Sequence, residues 1–174
     1  MSNKQFLIMI VLLVVGVSGY AAYNVIKRPD VPRPGVAQEE KGSVHVPDGT
    51  EPYGGPEPPT SGNHSQSPLP WQAFDQEVPD MSVIHNMEHG GVYITYRPDI
   101  SPEELTKLKS LFFAPFSNKS FTPTKAIMAP RAKNDAPIIM SSWNRSEKFQ
   151  SFNEEKMLAY YRLNVGRSPE PLAQ

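Results

Sequence analysis

The 174-residue chain contains no cysteine, and this absence excludes several kinds of site at once. Disulfide frameworks, thiolate zinc sites, iron–sulfur clusters, thiol nucleophiles and lipoprotein anchors all need a cysteine side chain. Any metal ion would therefore be held by histidine, methionine or carboxylate ligands. The chain also has no excess of basic residues, because its formal net charge is −1. A neutral charge balance of this kind argues against nucleic-acid binding.

Long hydrophobic runs are scarce too, and the one that exists lies at the N-terminus. Residues 6–26 are almost wholly apolar, with Ser18 and Asn24 as the distinctly polar members. The run matches the roughly 20 residues that a helix needs to cross a bilayer core. A cleaved signal peptide is the alternative, but its apolar region is usually only about 7–15 residues long. We therefore predict a transmembrane anchor in residues 1–28, and the acidic segment that follows it favours an extracytoplasmic location for the rest of the chain.

Proline is concentrated in the segment that follows the apolar run. Of the 19 prolines, 11 lie between Pro29 and Pro79. The proline-rich, acidic composition of residues 29–49 predicts an extended linker, because such a segment cannot bury enough apolar surface to become ordered. Aromatic residues and tight-turn residues return between residues 53 and 74, which predicts a structured loop that covers the domain, although further disordered linker is the alternative.

The remaining sequence predicts one globular α+β domain over residues 50–166, followed by a C-terminal tail at 167–174. Ser101, Pro102 and Glu104 form a helix start with a capping box, and Ser151 with Glu154 forms a second one. Short β-branched and aromatic segments predict four strands. The predicted order is β-β-α-β-β-α, a small mainly antiparallel sheet with two helices. The predicted strands cover residues 81–85, 91–96, 125–129 and 137–143.

Two of the four histidines, His85 and His89, lie in one pentapeptide directly before Gly90 and Gly91. In a strand, four steps would separate them by about 13 Å, which is too far to share one ion. In a helical turn, their Cβ atoms would lie about 6 Å apart, with Glu88 on the same side. The glycine pair argues against a long helix but permits one turn. The sequence therefore predicts a turn between two strands, with these side chains converging.

Four interpretations of this motif stay open. The first is a copper or zinc site with His64, His85 and His89 as ligands and Glu88 as a fourth ligand or a neighbour. The second is a metal-dependent hydrolase, as the spacing of the inverted zincin motif suggests, although that motif needs a long helix. The third is metal-free acid–base chemistry by a histidine–glutamate pair. The fourth is a purely structural hydrogen-bond network. Met87 is the one methionine placed to add a soft ligand for Cu(I).

Four sequence blocks stand out in the predicted domain: Pro58–His64, His85–Val92, Ala129–Arg131 and Ser142–Arg145. These blocks resemble the signature blocks of the bacterial domain-of-unknown-function family 3105. The resemblance covers roughly residues 50–165 and implies an N-terminal membrane segment in many members, with no established activity. It also implies that His64, His85, Glu88 and His89 act as one unit. Two positions depart from the family pattern, since Asn144 stands where glycine is usual and Asn63 where proline is common.

These features together predict a single-pass membrane protein whose extracytoplasmic domain binds copper or zinc through a histidine cluster. The alternatives are a non-catalytic interaction module, or accessory subunit of a membrane complex, and a metal-dependent hydrolase. The predicted partner is the membrane, with a membrane protein as a further candidate and no nucleic acid. The sequence identifies no catalytic residue and no small-molecule substrate.

Overall fold

The structure is a computed structural model that describes residues 32–50, 53–113 and 125–172, together with individual residues between 5 and 18. The chain divides into two compact units, Met1–Pro32 and Arg33–Gln174. In the first unit the described residues between 5 and 18 are helical. Most of the predicted anchor, residues 1–28, lies outside the described residues. Among those that are described, no helix combines the length and apolar character needed to cross a membrane.

The second unit contains a five-stranded mixed sheet and, within its described residues, three helices. The strands are β1 (Val36–Ala37), β2 (Val92–Tyr96), β3 (Ala126–Pro130), β4 (Ile138–Ser142) and β5 (Arg145–Phe149). The helices are α1 (Asp80–Glu88), α2 (Pro102–Phe112) and α3 (Glu154–Asn164). The spatial order of the strands is β1-β5-β4-β2-β3. Strands β2 and β3 are parallel and are joined across helix α2, whereas the other neighbouring pairs are antiparallel.

The sheet is covered on both faces, which gives the domain three layers. Alternate residues of β2 point to opposite faces, as the two-residue period of a strand requires. Val92, Ile94 and Tyr96 pack with residues of α2 and α3. Tyr93 packs on the other face with α1 and with the loop that carries Trp71. The residues on this face form a second hydrophobic core between the sheet and α1, and the covering loop that the sequence predicts contributes to it.

The predicted α+β class is confirmed, and helix α2 begins where its capping signals place it. The Ser101 hydroxyl accepts a hydrogen bond from the Glu104 backbone amide at 3.2 Å. Helix α3 begins two residues later than predicted, because Asn153 rather than Ser151 is its N-cap and accepts from the Lys156 amide at 3.0 Å.

The prediction of a strand at residues 81–85 is wrong, because this segment forms helix α1 (Asp80–Glu88). The β-branched residues of this segment suggest a strand, yet Val83, Ile84 and Met87 form one buried helical face against the sheet. The glycine pair ends the helix after nine residues rather than preventing it. Gly90 has a φ of +85°, the left-handed conformation that commonly follows a helix end.

Three of the four strand pairings are antiparallel, as the predicted mainly antiparallel sheet requires, but the sheet also contains one parallel pair and two strands, β1 and β5, that the sequence analysis misses. Strand β5 (Arg145–Phe149) is polar and forms a hairpin with β4 through Trp143 and Asn144. Asn144 has a φ of +54°, which asparagine tolerates better than most residues and glycine tolerates best. This backbone conformation is compatible with asparagine at the position where the sequence resemblance implies glycine.

Residues 33–46, which the sequence analysis assigns to the linker, contact the domain in the structure. Strand β1 pairs with β5 at the sheet edge. The Arg145 guanidinium donates to the backbone carbonyls of Arg33 and Gly35, both at 2.8 Å. The chain then runs beside the covering loop, where the Lys41 amide donates to the Ser61 hydroxyl at 2.9 Å. This path brings residue 45 to the histidine cluster.

Candidate metal site

The C-terminal turn of helix α1 carries three polar side chains of the candidate site. His85, Glu88 and His89 occupy positions i, i+3 and i+4, which places them on one side of the helix. The His85 and Glu88 side chains are buried, and His89 is the C-cap residue. A single turn of helix thus brings together three of the four residues that the sequence analysis grouped, namely His85, Glu88 and His89.

His64 reaches this helix from the covering loop and is fully buried, with 0% of its surface exposed. The loop is held next to it by the Tyr53 hydroxyl, which donates to the Asn63 carbonyl at 2.7 Å. Gly62 has a φ of +125°, and a Cβ atom there would lie 2.5 Å from the Tyr53 hydroxyl oxygen. Glycine is therefore required directly before the Asn63–His64 pair.

Asn86 joins the covering loop to α1 from the middle of the histidine motif. Its side-chain oxygen accepts from the Leu69 amide, and its side-chain nitrogen donates to the Leu69 carbonyl, both at 2.8 Å. Gly91 allows Trp71 to approach, because a Cβ atom on Gly91 would lie 2.6 Å from the indole ring. These two residues of the motif have structural roles, which leaves the histidines and Glu88 as its chemical part.

His45 completes the cluster, and it is the histidine that the sequence analysis does not place. Its backbone forms a parallel bridge with His64, in which the Val46 amide donates to the His64 carbonyl at 2.9 Å. The His45 ring stacks on His85 with 4.9 Å between ring centroids and 15° between ring planes. Its side chain is 44% exposed, so it forms the solvent-facing side of the cluster.

The donor atoms of the cluster form two close pairs. His64 Nε2 lies 3.0 Å from Glu88 Oε2, and His45 Nε2 lies 3.7 Å from the same oxygen. His85 Nε2 lies 3.1 Å from His89 Nε2. Two ligands of one ion at about 2.1 Å are separated by roughly 3.0–3.4 Å at angles between 90° and tetrahedral. Both close pairs therefore have the spacing of atoms that share a metal ion.

The backbone determines which ring nitrogens of the two buried histidines carry hydrogen. His64 Nδ1 lies 2.8 Å from the Gly62 carbonyl oxygen, and His85 Nδ1 lies 2.7 Å from the Ser65 carbonyl oxygen. A carbonyl oxygen only accepts, so both Nδ1 atoms carry the hydrogen. In the neutral rings, both Nε2 atoms then have a free lone pair directed into the cluster. Metal-ligating histidines are usually oriented in this way by a hydrogen bond from the second nitrogen.

Two sets of three residues in the described chain have donor atoms close enough to hold one ion. One set is His45, His64 and His85, and the other is His85, Glu88 and His89. Within each set the donor atoms lie within 4.8 Å of one another. Ligands on opposite sides of an ion at about 2.1 Å lie roughly 4.2 Å apart, so small side-chain movements would close either set around an ion.

Arg131 anchors the N-terminal end of α1 from the end of β3. It is buried, and its guanidinium donates to Asp80 Oδ2 at 3.1 Å and to the Gly55 carbonyl at 2.9 Å. Its other terminal nitrogen donates to Asn134 Oδ1 at 3.3 Å. Arg131 thus joins the covering loop, the helix and the sheet, and it forms a structural ion pair with Asp80.

The C-terminal segment packs against the other end of α1. The Gly166 amide donates to the Gly90 carbonyl at 2.8 Å, and the Glu170 amide donates to the Glu88 carbonyl at 3.1 Å. Glu170 Oε2 consequently lies 3.7 Å from His89 Nε2, with 58% of the Glu170 side chain exposed. Residues of the predicted C-terminal tail therefore border the site.

The sequence model of the DUF3105 family, which is described as a protein of unknown function, matches residues 45–174. The chain belongs to the DUF3105 family. No curated protein and no solved structure matches the chain. The resemblance noted from the sequence blocks is thereby confirmed, and the match begins at His45, so it includes all four histidines and Glu88.

The DUF3105 domain places His64, His85, Glu88 and His89 in one cluster and adds His45 to them. Met87 does not join it, because this side chain packs in the apolar core beside Ile84. A sequence signal for His45 does exist. Val44 and Val46 flank it in an otherwise polar segment, which is the alternation of a short strand.

Burial lowers the pKa of His85 below its usual value of 6.5, and the nearby His89, His64 and His45 lower it further. The hydrogen bond to the Ser65 carbonyl opposes this effect. Since the neutral form is favoured in the folded protein, the unfolded chain takes up this proton first as pH falls. The stability that depends on neutral His85 is therefore present above about pH 6.5 and is lost as the solution becomes more acidic.

We expect the metal-free DUF3105 protein to lose stability between pH 7.5 and pH 5, and the His85→Gln variant to lose less. Urea unfolding at both pH values, with a chelator present, measures the difference. Because the other titrating groups are the same in both proteins, their contributions largely cancel in the comparison. An equal loss of stability in the two proteins would show that the neutral state of His85 does not matter.

Proposed function

We propose that this DUF3105 protein is a membrane-anchored, extracytoplasmic domain that binds a transition metal ion, copper or zinc, through its histidine cluster. The observation that carries the proposal is the orientation of His64 and His85. Each buried ring donates from Nδ1 to a backbone carbonyl and directs Nε2 towards a second donor atom. Imidazole nitrogen suits both copper and zinc, and a chain without cysteine has no thiolate to compete.

The anchor and the extracytoplasmic location rest on the sequence. The apolar run at residues 6–26 has the length of a membrane span, and an acidic segment follows it. If the chain is anchored, it stays in the membrane pellet after alkaline extraction of cells that express it. If the domain is extracytoplasmic, protease added outside the cytoplasmic membrane should cleave it while that membrane is still intact.

Metal binding is tested by loading the purified full chain, in detergent micelles, with zinc or copper and measuring retained metal by mass spectrometry. We expect at least one ion per chain, and a large loss in His85→Ala because His85 belongs to both ligand sets. Glu155→Gln, a change at an exposed carboxylate on α3, is the control and should retain the metal. Clearly substoichiometric metal in the parent protein would contradict the proposal.

A non-catalytic interaction module is the second candidate, because the cluster also satisfies itself without an ion. His64 contacts Gly62 and Glu88, and His85 contacts Ser65 and His89. In that case the histidine variants have a lower free energy of unfolding than the parent protein, but they lose no bound metal. Melting curves recorded with and without added metal separate the two candidates, since a ligand present at 100 times its Kd stabilises the folded state by about 2.7 kcal/mol. A structural network gives no such metal-dependent shift.

A metal-dependent hydrolase is the third candidate, favoured by the position of Glu88 inside the cluster. A carboxylate beside a metal-bound water is the arrangement that metal-assisted hydrolysis uses. A pocket of about 310 Å³, lined by residues 45–48 and 65–67, adjoins His45 and provides access to that side of the cluster. Hydrolysis of model esters that depends on both added metal and Glu88 would favour this candidate over the simple binding domain.

A further inference from the structure

We propose that the cluster holds two metal ions, with the Glu88 carboxylate bridging them. The inference rests on the proposed function and deepens it, because it states how many ions bind and which donors serve each one. The first ion lies among His45, His64 and one oxygen of Glu88. The second lies among His85, His89 and the other oxygen of Glu88.

The lone pairs of the histidines require this division. Both sets of close donors include His85, but its Nδ1 is used by the Ser65 carbonyl and only Nε2 is free. One lone pair binds one ion, so the two sets cannot both be filled as they stand. Glu88 differs from His85, because a carboxylate has two oxygens and can bind an ion through each. Assigning His85 to one ion and sharing Glu88 leaves three protein donors for each position.

The distances support the same division. His64 Nε2 and His45 Nε2 both approach Glu88 Oε2, at 3.0 and 3.7 Å. His85 Nε2 contacts His89 Nε2 at 3.1 Å. In the metal-free cluster the two close atoms of each group share one hydrogen, and a metal ion can take the place of that hydrogen as a cation bound to both atoms. The cluster thus offers two such cation positions and not one.

The surroundings differ between the two positions. The first borders the solvent through His45, which is 44% exposed and adjoins the pocket of about 310 Å³. The second borders the C-terminal segment, where Glu170 Oε2 lies 3.7 Å from His89 Nε2. Glu170 can supply a fourth donor after a small side-chain movement. Each position therefore has one partly exposed edge, at which water or a ligand completes the coordination.

The experiment loads the full chain with zinc in detergent micelles, removes free metal by gel filtration and measures zinc per chain. We expect two ions in the parent protein and one ion in each of His45→Gln and His89→Gln, because each change removes a donor from only one position. Glu155→Gln again serves as the control and should keep both ions. X-ray absorption on the zinc-loaded parent should show metal–metal scattering at about 3.5–4 Å, the usual spacing of two-metal sites.

The outcomes separate this inference from the proposed function. One ion in the parent protein, lost in His85→Gln, would overturn the two-ion arrangement and leave metal binding intact. Two ions that both remain in His45→Gln would also overturn it. No retained ion in the parent would contradict the proposed function itself. The X-ray absorption measurement needs no variant, so it still tests the inference if a histidine variant fails to fold.

Discussion

Replacing Arg131 by alanine is expected to lower the free energy of unfolding by about 3–5 kcal/mol, the usual cost of removing one partner of a buried ion pair. Arg131 is only 4% exposed, and its partner Asp80 has a side chain that is 14% exposed. Removing the guanidinium would leave the Asp80 carboxylate without its cation and the Gly55 carbonyl without its donor. The position of Asp80 in the first turn of α1 offsets only part of this loss.

The matched control is Arg97→Ala, which breaks an exposed ion pair in the same domain. Arg97 and Asp99 are joined at 3.0 Å, but their side chains are 37% and 69% exposed. Exposed pairs of this kind contribute about 0–1 kcal/mol. Urea unfolding of both variants measures the contrast. If the two changes had equal effects, burial would not be the reason for the role of Arg131.

The Arg131 variant should also affect the metal site, although this residue lies at the opposite end of α1 from the donors. The guanidinium joins the covering loop to the start of the helix, and the loop and the helix supply His64 and His85. A loosened helix start would make their relative position less well defined. We therefore expect weaker zinc binding in Arg131→Ala than in Arg97→Ala at a temperature at which both remain folded.

His64→Ala is expected to have the second large effect, a loss of about 3 kcal/mol or more in the metal-free protein. The His64 ring is fully buried and lies 3.0 Å from Glu88 Oε2. Its removal leaves a cavity and takes the 3.0 Å partner from the buried Glu88 carboxylate, which keeps the more distant His45 at 3.7 Å. Large-to-small changes in a core and uncompensated buried charges each cost several kcal/mol. Urea unfolding in the presence of a chelator measures the loss.

Two further variants show whether the loss comes from Glu88. His45→Ala is the matched control, because its exposed ring should contribute less than 1 kcal/mol without metal. Adding Glu88→Gln to His64→Ala should recover part of the lost stability, since the remaining buried group is then neutral. If Glu88→Gln made the His64 variant still less stable, the unpaired carboxylate would not be the cause. Zinc should stabilise the parent protein by more than it stabilises His64→Ala.

Residue types and short-range spacing predicted the start of helix α2 and the convergence of His85 and His89. Ser101 and Pro102 determine the start of α2 locally, because the cap and the fixed proline dihedral act within one turn. His85 and His89 converge for the same reason, since residues four apart are neighbours on a helix. The sequence analysis required a helical turn for this convergence and placed it correctly at the end of α1, although it assigned the preceding residues to a strand.

The conformation of residues 81–85 could not be read from the local pattern. A five-residue apolar segment fits a strand or one face of a short helix equally well. The choice was made by the second core, in which Val83, Ile84 and Met87 meet Tyr93 and Trp143. Strand β5 was missed for a related reason. Its polar sequence gives a weak strand signal, and its pairing with β4 and β1 places it in the sheet.

The sequence by itself determined that any metal site must use histidine, methionine or carboxylate donors, and it identified His64, His85, Glu88 and His89 as the candidates. Only the tertiary structure brought in His45, because 18 intervening residues and a bridge between two loop segments separate it from His64 in the chain. The structure also decided that the candidate donor atoms fall into two close pairs, His64 with Glu88 and His85 with His89. Spacing along a chain determines which neighbours share a helical turn, whereas contacts between distant segments depend on how the whole core packs.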